Sequence, residues 1–193
     1  MSKLDAGAIR FAPNGRILMG AANASLPTYP NDDTAFDNDT PITGFTDLGY
    51  ASEDGVSLTP SLSVTEVPVW QSATAAKLNV TAAGLTIGFT LMQWDQDTTA
   101  LFFNGTWTKS GELSTLILPS NPILRERSFL VLWGDGDDVS SLFVPRAMVS
   151  EREALTVGKS NPSTLGMTLT SLDAAGELGR VTTTADMVPS QTP

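Results

Sequence analysis

The residues best placed to do chemistry are two acidic clusters, Asp135-Gly136-Asp137-Asp138 and Asp37-Asn38-Asp39-Thr40. Each presents oxygen donors at alternate positions, as a calcium loop does. Neither fits the D-x-[DN]-x-[DN]-G loop closed by a distal Glu, because the glycine and the glutamate are out of place. The same Asp, Asn and Gly residues are what a tight turn needs. Asp135, Asp137 and Asp138 therefore read first as turn residues, and no metal is assigned to them. The chain has no His and no Cys, which removes the usual proton carrier near neutral pH, the commonest transition-metal ligand and thiolate chemistry. A serine nucleophile would need a lysine base, and the lysines are Lys3, Lys77, Lys109 and Lys159. The G-x-S-x-G and P-loop patterns are missing, and no G-x-G-x-x-G opens a helix. A carboxylate pair for glycoside hydrolysis can be drawn in any acidic protein, but nothing here places two acids in one cleft. The expectation is a protein that is not an enzyme and carries no cofactor.

Charge narrows the field further. Twenty-one acids against 11 bases give a net charge of −10. Gripping nucleic acid relies on Lys and Arg at phosphates, and there is no basic run; Arg125 and Arg127 flank an acid. The distribution is uneven: from Ile17 to Ala76 there is no Lys or Arg, while Asp47, Glu53, Asp54 and Glu66 fall inside that stretch. The N-terminus lacks the apolar core of a secretory signal, and no apolar run is long enough to span a membrane. The expectation is a chain made and kept in a cytoplasm.

At 193 residues the chain suits one domain with a full core. Residues 1–26 alternate short apolar pieces with Gly, Pro and Asn and read as an arm with one or two short strands. The Pro/Asn/Asp cluster from Leu26 to Pro41 is loop. "FTDLGYA" and "VSLTP" then read as two short strands, with Ser52–Gly55 as a hairpin between them, since Asp-Gly between β-prone runs is a hairpin signal. Pro68 suits an edge strand or a strand end. "KLNVTAAGLTIGFTLMQW" keeps period two, with Leu78, Val80 and Ala82 in one phase and Leu85, Ile87, Phe89 and Leu91 in the other. That slip places a bulge or bend at Ala83-Gly84. A short helix follows, with Asp95 as N-cap and Asn104-Gly105 as its stop. "ELSTLILP", "RSFLVLWGD", "DVSSLFVPRAMVS" and "TLGMTLTSLDAAG" are strand-like, with "WGDGDDVSS" as a hairpin turn between two of them by its Gly and Asp content. The tail from 185 to 193 reads as an arm or as disordered. Seven to nine strands and one helix give a mainly β chain, a β-sandwich or barrel-like domain.

The segment from Ile42 to Ser72 resembles the corresponding part of major tail proteins from long-tailed phages of actinobacteria. The likeness rests on Phe45, Asp47, Leu48, Gly49, Tyr50, Ser52, Glu53, Asp54, Gly55 and Val56, and on the closing Trp70, Gln71 and Ser72. "FTLMQWDQDTTALFFNG" is also similar to that family. The resemblance implies a tail tube fold: a β-sandwich with one short flanking helix, a long inter-strand loop over 41–72 that reaches the adjacent ring, and terminal arms. It also implies hexameric rings stacked into a hollow tube through which duplex DNA passes without specific binding. The implied partners are further copies of the chain, a tape-measure protein, a tail terminator and a distal tail protein, in a virion tail assembled in the host cytoplasm.

Under that resemblance Phe45, Tyr50 and Trp70 are the expected aromatic anchors of the contact between subunits, with Asp47, Glu53 and Asp54 beside them. Trp70 divides evenly between core packing and an intersubunit contact. Asp135, Asp137 and Asp138 become candidates for the lumen as well as for a turn, since negative potential would keep DNA from sticking. A basic patch drawing on Lys109, Arg125, Arg127, Arg146 or Arg152 could face the basic-free segment of a neighbour. Two other readings stand beside this one: another virion part, such as a tail terminator or decoration protein, and an acidic calcium- or carbohydrate-binding β-sandwich module.

Overall fold

The computed structural model describes residues 9–37, 39–135 and 138–185. In chain order the strands are β1 Asn14–Ala21, β2 Phe45–Asp47, β3 Ala51–Val69, β4 Ser72–Leu91, β5 Thr106–Ser110, β6 Leu113–Ile117, β7 Arg127–Asp135, β8 Asp138–Arg152, β9 Leu165–Ser171 and β10 Arg180–Thr183. A 3-10 turn covers Asp33–Phe36, and the one α-helix among the described residues, α1, covers Gln96–Phe103. Strands run β2-β1-β7-β8-β9-β4-β3 in one antiparallel sheet, with β10 beside the first half of β8; β5 and β6 form a separate hairpin.

Both faces of the central strands are covered, so alternate residues enter two different cores. Ile17, Phe129, Val131, Leu142 and Val144 join one cluster, and their neighbours Leu18, Leu130, Leu132 and Phe143 join the other. The first cluster also takes Ile87 and Phe89 from β4 and Phe102 from α1. Ile17 and Phe89 share it although β7, β8 and β9 lie between their strands, so the sheet folds over on itself as a sandwich does. The second cluster is roofed by the long connection after β1: Ala35 and Ile42 are buried in it, with Leu26, Tyr29 and Phe36 packed alongside. The Pro/Asn/Asp-rich loop is thus a lid on a core.

The helix forms where its caps demand. Asp95 accepts from the Asp97 and Thr98 N–H groups, Thr98 Oγ1 in return accepts from the Asp95 N–H, and Asn104 closes the helix in the left-handed region. Strands β7, β8 and β9 match their apolar alternation, and Asp135 pairs with Asp138 across the expected hairpin. The strand expected within residues 1–26 is β1, and it sits inside the sheet between β2 and β7. The tail from residue 186 on lies outside the described residues.

Several expectations need correction. Ser52–Gly55 is not a hairpin turn. Register jumps from Ala51↔Leu91 to Val56↔Phe89, so these residues bulge out of a single strand. A two-residue Asp-Gly turn of the favoured type needs positive φ at both residues; Gly55 has it (φ +68°) and Asp54 does not. Val56 and Leu58 already have partners in β4, which leaves Asp54-Gly55 a bulge to make. Segment 41–72 is therefore mostly strand. Its chain reversal is at Trp70-Gln71, between Val69 and Ser72. The phase slip in β4 falls at Thr81, the extra residue between Ser63↔Ala82 and Val64↔Val80, and not at Ala83-Gly84. The described residues hold ten strands where seven to nine were expected: β5, in "TWTKS", and β10 carry too little apolar alternation to announce themselves.

Candidate assembly surface

Strands β3 and β4 make a ribbon far longer than the sheet that carries it. β4 pairs with β9 only over Thr86–Leu91, so from Leu85 outward the ribbon has two open edges. At about 3.3 Å per residue, the part beyond the Pro60↔Leu85 pair reaches roughly 30 Å. Residues opposite one another in an antiparallel pair share a face. Register therefore puts Leu58, Leu62 and Val64 on one side with Leu85, Val80 and Leu78. The other side is Ser57, Thr59, Ser61, Ser63 and Thr65 with Thr86, Gly84, Ala82 and Asn79. The apolar side begins in the core, where Ile87 and Phe89 are buried, and runs outward to Leu62, Val64, Leu78 and Val80, which are exposed. One carboxylate lies on it: Glu66, opposite Leu78 near the tip. Pro60 and Pro68 both sit in β3, at the sheet edge, where a missing N–H breaks no ladder.

At the turn, the Trp70 side chain is 99% exposed. Core packing, one of the two readings of Trp70, is thereby excluded within the chain. Tyr50 is 71% exposed at the ribbon's base. Glu53 and Asp54 stand out from the bulge, both exposed. Phe45 differs: it is half-buried in the second core, edge-on to Phe143 with ring centroids 6.3 Å apart. Asp47 also turns inward. Its Oδ2 accepts from Nε of the buried Arg16, and its Oδ1 accepts the Gly49 N–H at 2.7 Å. Arg16 in turn donates to the carbonyls of Ala35 (3.3 Å) and Thr40 (3.0 Å). Between them Leu48 is buried, its N–H bonded to the Ile17 carbonyl at 2.9 Å. Gly49 has φ +72°, and a Cβ there would meet the Gln93 side chain at 2.1 Å. The Asp-Leu-Gly-Tyr phrase is thus a clamp that fixes the lid and aims the chain into the ribbon. It leaves only Tyr50 outside.

Asp138 forms an exposed ion pair with Arg10, Asp137 lies outside the described residues, and Asp135 ends β7 at the turn. Among the described residues no group of three or more His, Cys, Asp or Glu could hold a metal ion, and no helix is long and apolar enough to cross a membrane.

The basic residues sort themselves. Arg10, Arg16, Arg146 and Arg180 pair with Asp138, Asp47, Glu126 and Glu177. Glu126 takes Arg146 Nε and Nη2 at 2.9 Å each, which holds its carboxyl below the usual carboxylate range and the guanidinium above its own. The remaining three arginines, Arg125, Arg127 and Arg152, line one groove beside α1, with Leu101, Leu124 and Val149 among the apolar residues there. Arg152 Nε donates to the Phe102 carbonyl, and partial burial lowers its pKa. Of the five residues named from the sequence for a basic patch, Arg125, Arg127 and Arg152 line this groove, whereas Arg146 is paired with Glu126 and Lys109 lies on β5. Glu66 was legible as one of the acids of the basic-free stretch; its place on the apolar side of the ribbon comes from the register.

A family model described as "Phage tail tube protein" matches residues 2–188. None of the curated proteins matches the chain. Among solved structures, the chain is similar to one from the "Virion of native gene transfer agent (GTA) particle". Identity is 13% and the TM-score 0.42, over 73% of this chain and 89% of that one.

Proposed function

Because this chain belongs to the phage tail tube protein family, and is a structural component of a virion tail and not an enzyme, we propose that it is the major tube subunit, forming hexameric rings that stack into a hollow tube for DNA delivery. The observation that carries this reading is the ribbon of β3 and β4, with its apolar side uncovered and both edges open. A two-stranded ribbon is marginal in water, and open strand edges invite pairing with another chain. The ribbon gains its missing neighbour when a second copy covers it. A surface that fits a different surface of the next copy propagates head to tail, closing into rings or running on as a filament.

Ring closure joins the sheets of successive copies into one wide barrel whose interior is not filled by side chains. An acidic chain, at net charge −10, lets duplex DNA pass without phosphate contacts that would hold it. A tape-measure protein, a tail terminator and a distal tail protein bound the tube, assembled in the host cytoplasm. Trp70, Tyr50, Glu53 and Asp54 contact the neighbouring subunit; Phe45 and Asp47 support that contact from below. The test is negative-stain electron microscopy of the concentrated protein, together with sedimentation. Six-fold rings or hollow tubes are expected, and a chain that stays monomeric at every concentration contradicts the reading.

A further inference from the structure

Two features of the surface have no ion-pair partner among the described residues, and they complement each other. One is Glu66, a carboxylate on the otherwise apolar side of the ribbon, flanked by Val64 and opposite Leu78. When that side is covered by protein, Glu66 loses its water, and a desolvated carboxylate needs a cation with hydrogen bonds to offset the loss. The other is the groove beside α1. Every arginine elsewhere among the described residues has a carboxylate partner, whereas Arg125, Arg127 and Arg152 have none and converge on one apolar-floored depression. Three guanidiniums and a single carboxylate, Asp97, line the groove, which leaves it a surplus of positive charge that gains from a further anion.

We propose that the ribbon tip of one subunit docks into this groove of another, with Glu66 held by Arg125, Arg127 and Arg152 and the flanking Val64, Leu78 and Val80 covered by the groove's apolar residues. This rests on the tube reading above and names the contact that joins its subunits. The occupant is a second copy because the chemistry matches: an apolar strip carrying one acid meets a partly apolar depression whose three bases outnumber its one acid. Guanidinium groups suit the bidentate geometry that fixes a carboxylate in one orientation, so the contact sets register as well as attraction. The groove and the ribbon are different surfaces of the same chain, so the contact is head to tail.

The sequence contains no Cys, which makes site-directed cross-linking clean. Thr65→Cys, beside Glu66 on the other side of the ribbon, and Leu124→Cys, beside Arg125 in the groove, keep every charge of the contact; the two proteins are mixed and treated with a short bismaleimide. The expected product is a cross-linked dimer that needs both variants and exceeds the yield from Lys159→Cys in place of Leu124→Cys. In parallel, Glu66→Gln and Glu66→Leu are compared with wild type by sedimentation. Both are expected to weaken self-association roughly 30-fold or more, the loss that follows removal of one member of a desolvated charged pair. Glu66→Leu is the sharper arm. It extends the apolar side, so a tip facing water or a purely apolar partner would associate as well or better with it. Wild-type association without the specific cross-link, or unimpaired association of Glu66→Leu, overturns the docking while leaving the tube reading intact. A wild-type chain that does not self-associate at all overturns both. Duplex DNA binding that is lost on replacing the three arginines, with no cross-link formed, reassigns the groove to phosphate and overturns the docking.

Discussion

The guanidinium of Arg16, buried between β1 and the connection that follows it, is held by the carboxylate of Asp47 on β2. This pair ties the lid over the second core to the base of the ribbon, since Arg16 also bonds the carbonyls of Ala35 and Thr40. Removing one partner of a buried pair leaves the other charge uncompensated, at a cost of about 3–5 kcal/mol. Asp47→Ala is therefore expected to lower the denaturation midpoint of the monomer sharply. Asp54→Ala, on the exposed bulge, is expected to change it by less than about 0.5 kcal/mol. Equal effects of the two substitutions in urea denaturation would refute the clamp.

The ribbon's exposed apolar side leads to the opposite pattern. Leu62 and Val80 touch little within their own chain, being 64% and 57% exposed. The double variant Leu62→Thr, Val80→Thr puts β-branched residues at both strand positions, so the monomer is expected to melt within a few degrees of wild type. Assembly, measured by sedimentation, is expected to fail. A large fall in melting temperature would mean that the ribbon folds back on its own domain.

Tyr50 and Trp70 form a second, independent check at the two ends of the ribbon. Tyr50→Ala with Trp70→Ala is expected to leave the far-ultraviolet circular dichroism and the monomer's melting unchanged while impairing assembly. Iodide quenching, taken as the difference between wild type and Trp70→Phe because Trp94, Trp107 and Trp133 also emit, adds a direct readout: Trp70 accessible in the monomer, protected in the assembly. Protection already present in the monomer would exclude the exposed turn.

The pair Glu126–Arg146 gives a pH dependence with a definite sign. Its hydrogen bonds to Arg146 hold the Glu126 carboxyl below its ordinary range. The stability it contributes is present above the unfolded-state pKa and is lost as pH falls through the lowered folded-state value. Glu126→Gln is expected to remove that share of the acid sensitivity. The effect is small, because the pair is solvent-screened. Steeper acid sensitivity in the variant would contradict the assignment.

Much of the β framework is written in local pattern. The alternation in β7, β8 and β9 and the caps Asp95 and Asn104 stand in the sequence because each depends on neighbours a few residues away. The ribbon was obscured for a physical reason. Its reversal at Trp70-Gln71 carries none of the Gly, Asn or Asp that mark turns, while the Asp54-Gly55 signal was absorbed as a bulge by a partner strand more than thirty residues away. The motif around Asp47 was visible as a phrase, but its role depends on Arg16, 31 positions earlier. Likewise the arginine groove exists only once β1, α1, β7 and β8 are packed together.

The most direct test of the central claim is negative-stain electron microscopy of wild-type protein beside the Leu62→Thr, Val80→Thr variant at the same concentration. The account predicts six-fold rings or hollow tubes from the wild type and dispersed single particles from a variant that is equally well folded. Tubes formed equally by both would show that the exposed side of the ribbon is not the joint between subunits.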